Sequence, residues 1–154
     1  MPRYRWSSFA ELSPQRLHDL LRLRNQVFIV EQACAYADID GFDPACAHLC
    51  AIDDKDAVIG TLRLLPPGLK FPETSLGRLA VARERRGEGI ARALILEGLA
   101  ELARRHPGAE VVIGGQRYLE AFYASLGFVR CSEPYLEDGI PHIDMRRAVP
   151  ILPA

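Results

Sequence analysis

Gly87 and Gly89 stand one residue apart, just after a short apolar strand and at the start of an amphipathic helix. A helix N-terminus leaves its first backbone N–H groups without intrahelical acceptors, with the positive end of the helix dipole behind them. A glycine turn that lets an anion approach those amides is therefore a phosphate site. In Arg86-Gly87-Glu88-Gly89-Ile90-Ala91, with Arg92 next, amides and two arginines could hold a phosphate. Two common phosphate loops are excluded by residue type. A Walker loop needs Gly-Lys-Ser/Thr, which is not present here. A dinucleotide turn needs a small residue three places after the second glycine, where Arg92 stands. An ordinary tight βα turn is the remaining alternative.

A second group of residues able to do chemistry is acidic. The segment EQACAYADIDGFDPACA carries Glu31, Asp38, Asp40 and Asp43. It is either a solvated connection or a set of carboxylates over a cleft that would draw in a cationic amine. Glu31, Asp38, His48, Glu133 and His142 are the side chains chemically able to act as a base, and a water chain could do the same. The cysteines, Cys34, Cys46, Cys50 and Cys131, place His48 inside a Cys-x-x-x-Cys, but no second pair at zinc spacing follows. Buried, reduced thiols and no metal are expected.

The elements that must position these residues come from one chain of 154 residues, 49% hydrophobic, enough for a single domain over 1–154 with its own core. A formal net charge of −1 gives no global field to gather nucleic acid or an anionic membrane. The first ten residues are polar and no run of about eighteen apolar residues occurs, which argues against export and membrane spanning and for a cytoplasmic location.

Tyr4–Ser8 alternates as a strand, and Ser13-Pro14 starts a helix, serine as N-cap and proline at the first helical position. Leu17, Leu20, Leu21, Val27 and Phe28 carry that helix to about Val30. His48–Ile52 and Ala57–Leu65 form a hairpin across Asp53 and Asp54, and Pro66-Pro67-Gly68 ends it. A strand over Leu76–Val81 precedes the glycine turn. The helix after that turn aligns Ala91, Leu94, Ile95, Gly98, Leu99 and Leu102, with Gly98 permitting close approach to a sheet. Glu110–Gly115 is a short buried strand, so strand, helix and strand predict a parallel crossover with Leu79 and Val112 on neighbouring strands. A short helix over Tyr118–Leu126, capped by Gly127, comes next. Two antiparallel strands, Phe128–Cys131 and His142–Arg147, are joined by a long connection through Glu137-Asp138-Gly139.

Preceded by Leu-Gly-Arg-Leu-Ala-Val, the glycine hexapeptide resembles the acetyl-CoA motif Gln/Arg-x-x-Gly-x-Gly/Ala of the GNAT superfamily of N-acetyltransferases. LEAFYASLGF is similar to a later helix of that superfamily, with Ala121, Phe122, Tyr123, Gly127 and Phe128 as its tail; Gln116 departs from the Asn many members carry. LRLRNQVFIVEQ, DIDGFD and YLEDGIPHIDMRR resemble the ElaA-like branch, so the likeness covers nearly the whole chain. It implies an α/β (α+β) fold: a mixed, mostly antiparallel central sheet with a parallel, splayed strand pair and flanking helices, as in acyl-CoA N-acyltransferases.

The resemblance also implies acetyl-CoA as co-substrate. Its pantetheine arm would lie along Leu79, Ala80 and Val81, with the Val81 N–H polarising the acyl carbonyl. Its pyrophosphate would sit on Arg86, Gly87, Glu88, Gly89, Ile90, Ala91 and Arg92, and Tyr123 would protonate the leaving thiolate. The acceptor is a primary amine of a small molecule or a peptide, with Glu31, Asp38 and His142 as candidate residues of its site. Acetyl-CoA and the amine are the expected partners, without nucleic acid or membrane, and a homodimer is admissible. Two alternatives stand beside this. RNQVF followed by an Asp-x-Asp-x-x-Asp loop resembles acyl-homoserine-lactone synthases, although the loop lacks their tryptophan. A non-catalytic CoA-sensing module would keep the fold without the reaction.

Overall fold

In the computed structural model, which describes residues 1–153, the strands form two half-sheets that meet at one point. The first half is an antiparallel run of β1 (Arg3–Ser8), β2 (Ala47–Ile52), β3 (Val58–Leu65) and β4 (Ser75–Val81), in that order. In the second half, β5 (Glu110–Gln116) pairs along one edge of the long final strand β8 (Ile140–Ala148). The short strands β6 (Val129–Arg130) and β7 (Tyr135–Glu137) pair with β8 as well. The connection expected between the last two strands thus contains a further strand. It returns through Asp138-Gly139, whose φ angles of 50° and 77° suit a two-residue hairpin turn. The strand expected over Phe128–Cys131 shrinks to Val129–Arg130.

Helix α1 (Pro14–Arg24) begins as the sequence indicates, with the Ser13 hydroxyl accepting from the Arg16 N–H at 3.1 Å. It does not continue as one α-helix to Val30: residues Asn25–Glu31 wind as a π-helix. Helix α2 (Ile90–Arg105) crosses from β4 to β5 and packs on β3 and β4. Gly98 permits this, because a Cβ there would stand 2.9 Å from Leu62 and 3.0 Å from Leu76. Helix α3 (Glu120–Ser125) is a short element capped by Gly127. One core cluster runs through both half-sheets, including Leu49, Leu62, Leu94, Leu102, Val111 and Ile143. Cys46 and Cys50 belong to the interior, with thiols pushed up to about 11 by burial, whereas Cys34 is half-buried and Cys131 exposed.

The meeting of the half-sheets makes the site. Val112 N–H donates to Thr74 O at 3.1 Å, next to a single parallel bridge between Thr74 and Val111. Beyond it β4 and β5 part, so the strands carrying Leu79 and Val112 are parallel neighbours that splay, as expected. A bulge in β4 turns the strand away: register passes from Arg63↔Gly77 to Thr61↔Ala80, leaving Leu62 opposite both Arg78 and Leu79. Arg78 carries the bulge at φ 51°, a conformation costing a side-chain-bearing residue about 1–3 kcal/mol.

The acidic segment holds that residue in place. Arg78 Nε lies 2.7 Å from Asp38 Oδ1, close but poorly aligned for a hydrogen bond, and Nη2 donates to Asp38 O and Asp40 Oδ2 at 3.1 and 3.2 Å. Its guanidinium also lies 5.6 Å from the centre of the Tyr36 ring. Arg24, 1% exposed, reaches Asp38 at 3.0 Å and Asp43 at 2.8 Å. Arg63 reaches Asp40 at 2.6 Å and Asp43 at 3.0 Å. Asp38, Asp40 and Asp43 are therefore neutralised by Arg24, Arg63 and Arg78, and the segment is a clamp on the bulge rather than a lure for a cation. Burial alone would raise the Asp40 and Asp43 carboxyls, yet the arginine hydrogen bonds and charges outweigh it and hold both below the usual range.

Candidate active site

The gap between β4 and β5 opens into a cleft of about 1020 Å³. At one end stands the glycine turn. Gly87 and Gly89 take φ angles of 83° and 79°, the left-handed region that glycine enters freely, and a Cβ at either would meet nothing within 4 Å. The requirement there is conformational, and the space in front of the turn is open. Gly89 gives no side-chain cap to α2, whose first internal bond runs from Ala93 N–H to Gly89 O at 3.0 Å. The N–H groups of Ile90, Ala91 and Arg92 thus have no intrahelical acceptor, which suits an anion. All three residues line the cleft with Arg86, Gly87 and Gly89. Glu88 does not: it turns out to Arg85 at 2.8 Å.

Along the cleft wall, Leu79, Ala80 and Val81 present the edge of β4. Ala80 pairs with Thr61, and Ala82 N–H donates to Ile59 O at 2.8 Å, so these residues direct their backbone groups to β3. By alternation, those of Leu79 and Val81 point across the gap. The Val81 carbonyl bears this out, because Arg86 donates to it from Nε and Nη2 at 3.3 and 3.2 Å. Arg86 Nη2 also lies 2.7 Å from Glu31 Oε2. Two residues expected at opposite ends of the site are thereby joined as an ion pair.

Tyr123 comes in from α3, 7% exposed, its ring edge-on to Phe122 and Phe128 with centroids 5.2 and 5.9 Å away. It packs onto Gly115 of β5, where a Cβ would stand 2.9 Å from Cε2. Burial, with a smaller contribution from Tyr118, pushes its hydroxyl up to about 12, so it keeps its proton throughout the neutral range.

At the other end the lining is polar and built from side chains. Gln116 Nε2 donates to Gln32 Oε1 at 3.1 Å, linking β5 to the residue after the π-helix. His142, 8% exposed, donates Nδ1–H to Ile140 O at 2.7 Å, which leaves Nε2 facing Glu137 Oε2 at 3.3 Å. Tyr135 stacks on the imidazole with centroids 6.0 Å apart and donates its hydroxyl to Asp144 at 2.6 Å. The Cys34 thiol donates to Asp138 O at 3.3 Å, tying the loop after the π-helix to the β7–β8 turn.

Of the other proton acceptors, Asp38 is taken up by Arg24 and Arg78. His48 is buried beneath the acidic segment, donating Nε2–H to Asp43 O at 2.9 Å, and burial holds its pKa below the usual value. Glu133 is exposed and outside the cleft lining. Glu137 and Lys70, which line the cleft, were not singled out for chemistry by the sequence. For Glu137 a signal existed: Glu137-Asp138-Gly139 reads as strand end and hairpin turn, which would have placed it beside His142.

Residues 12–149 match the family described as "Acetyltransferase (GNAT) domain". Protein ElaA of Escherichia coli is 38% identical over 141 residues, covering 91% of this chain and 92% of its own. Its crystal structure superimposes with a TM-score of 0.89 over 96% of this chain and 99% of its own, at 36% identity. An acyl-CoA N-acyltransferase from Pseudomonas aeruginosa has a TM-score of 0.90 at 37% identity, over 96% of this chain and 100% of that one. A CoA-dependent acyl-homoserine lactone synthase, 18% identical, shares the fold at a TM-score of 0.79 over 97% of this chain and 84% of that one.

Proposed function

The chain belongs to the GNAT acetyltransferase family, and from that premise we propose that it transfers the acetyl group of acetyl-CoA to a primary amine, by direct attack while both are bound. Acyl transfer is the chemistry of the family. The single observation that carries the finer reading is the unpaired stretch of β4 between the free N-terminus of α2 and the Tyr123 ring.

Each part has a role in that reaction. The amides of Ile90, Ala91 and Arg92 hold the pyrophosphate, and Leu79 and Val81 offer backbone partners to an extended arm with amides of its own. The Val81 N–H polarises the acyl carbonyl. Glu137 and His142 together take the proton the amine must lose: the bond to Ile140 fixes the imidazole tautomer with Nε2 unprotonated, and the incoming proton is shared between that nitrogen and Glu137 Oε2. Tyr123 gives a proton to the departing sulfur. The balance is one N–C bond formed, one C–S bond broken, and one proton moved from nitrogen to base and one from Tyr123 to sulfur.

The test is a panel of amines with acetyl-CoA and longer acyl-CoAs, read by release of free thiol. Amine-dependent release with acetyl-CoA is expected. Release only with long acyl donors and an amino-acid-derived acceptor would replace this reading with the acyl-homoserine-lactone-like one. No release with any amine, despite tight acetyl-CoA binding, would remove the amine assignment.

A further inference from the structure

Of the nineteen Lys and Arg side chains in this protein, only Lys55 and Lys70 are lysines. Both are exposed residues, but they sit in unlike places: Lys55 lies in the turn between β2 and β3, outside the cleft, whereas Lys70, in the loop between β3 and β4, lines the cleft with its side chain 30% exposed. Lys70 Nζ lies 3.9 Å from one oxygen of Glu137, whose other oxygen is 3.3 Å from His142 Nε2. It also lies 3.6 Å from where a Cβ on Gly114 would be, so the bare glycine is what lets the ammonium come up to β5. The next residue, Gly115, has its Cβ direction filled by Tyr123 at 2.9 Å. Successive strand residues face opposite sides of a sheet, so Lys70 and Tyr123 approach β5 from opposite faces, where β4 no longer pairs with it. Transfer to an amine calls for that layout, with the nucleophile on one side of the carbonyl and the proton donor for the thiolate on the other.

We propose that Lys70 is an acetyl acceptor within the chain: with no amine substrate present, its Nζ takes the acetyl group from acetyl-CoA held in the same cleft. This rests on the donor assignment made above. The Lys70 ammonium first gives one proton to solvent; a bond then forms between Nζ and the carbonyl carbon, the C–S bond breaks, the second Nζ proton passes to the Glu137–His142 pair, and CoA leaves as the thiol with a proton from Tyr123 that solvent restores. The product is a neutral amide that removes the ammonium beside Glu137 and fills the acceptor end of the cleft.

The experiment incubates the full chain with acetyl-CoA and no amine, then locates any added acetyl group by peptide mass spectrometry, with thermal melts on the same samples. One acetyl group on Lys70, none on Lys55, and none on the Lys70→Arg variant are expected. Excess free CoA should slow the labelling by competing for the cleft, and Tyr123→Phe should slow it by about 10²-fold or more. Equal labelling of Lys55 and Lys70, or labelling that free CoA does not slow, means acetylation from solution and overturns the proposal. A melting shift with acetyl-CoA but an unmodified Lys70 overturns it and leaves the proposed function standing. No melting shift removes the donor assignment and this proposal together.

Discussion

In the proposed reaction Tyr123 gives the proton to the departing sulfur, and two substitutions separate its hydroxyl from its ring. Tyr123→Phe keeps the ring edge-on to Phe122 and Phe128 and removes only the proton. It should lower kcat by about 10²–10⁴ with little change in acetyl-CoA affinity. The loss should be smaller for an acyl donor with a more acidic thiol; an equal loss for both donors would make Tyr123 a positioning residue. Gly115→Ala works the other way, pushing the ring off with a methyl group that would stand 2.9 Å from Cε2. Overpacking of this kind costs about 1–3 kcal/mol, so a lowered kcat and a modestly lowered melting point should appear together. Because burial raises the Tyr123 hydroxyl to about 12, its deprotonation should leave kcat flat on the alkaline side up to roughly pH 10. A falling limb below that, absent in Tyr123→Phe, would contradict the assignment.

At the scale of elements, the acidic segment is the piece whose role changes most between sequence and structure. Its Asp-x-Asp-x-x-Asp spacing is plain to read, but its partners arrive from α1, β3 and β4, and nothing local announces that three distant arginines will converge on it. The glycine turn was legible because its chemistry is written within six residues, and the crossover helix because its apolar spacing is regular. The π-helix over Asn25–Glu31 and the three-residue strand β7 are too short for periodicity to mark them. Removing one partner of a buried ion cluster leaves an uncompensated charge, so Arg24→Met should cost about 3–5 kcal/mol in a denaturant melt. The same cluster sets the acid stability. Asp40 and Asp43 have folded pKa values below the unfolded value of 3.8, so the unfolded chain binds protons first as pH falls. Their contribution is fully present above that value and is lost as pH drops through the folded values. His48, held below 6.5 by burial, adds a loss in the same direction below pH 6.5. Denaturation midpoints that did not fall between pH 6 and pH 3, an interval of about three units, would contradict both.

Over the described residues, two half-sheets share one core cluster yet are joined by a single strand-to-strand bridge, and a ligand lying in the gap would offer hydrogen bonds to the unpaired edge. At about 100 times Kd such binding adds roughly 2.7 kcal/mol, a rise in Tm of about 5–10 °C for a chain of this length. Gly89→Val should abolish that rise, since a branched side chain would stand before the free amides of α2 and resist the left-handed backbone. An unchanged rise in the valine variant would move the anion site elsewhere. The gap also bears on how such a protein changes over generations. Backbone N–H and C=O groups are the same whatever residue carries them, so the edge offered by Leu79 and Val81 survives any exchange that preserves the strand and its bulge. The opposite end is made of the side chains of Gln32, Lys70, Glu137 and His142, each replaceable by one mutation. Under the proposed function, drift can therefore retune which acceptor is taken while the donor end stays fixed, and divergence among descendants of this chain should collect on one side of the cleft.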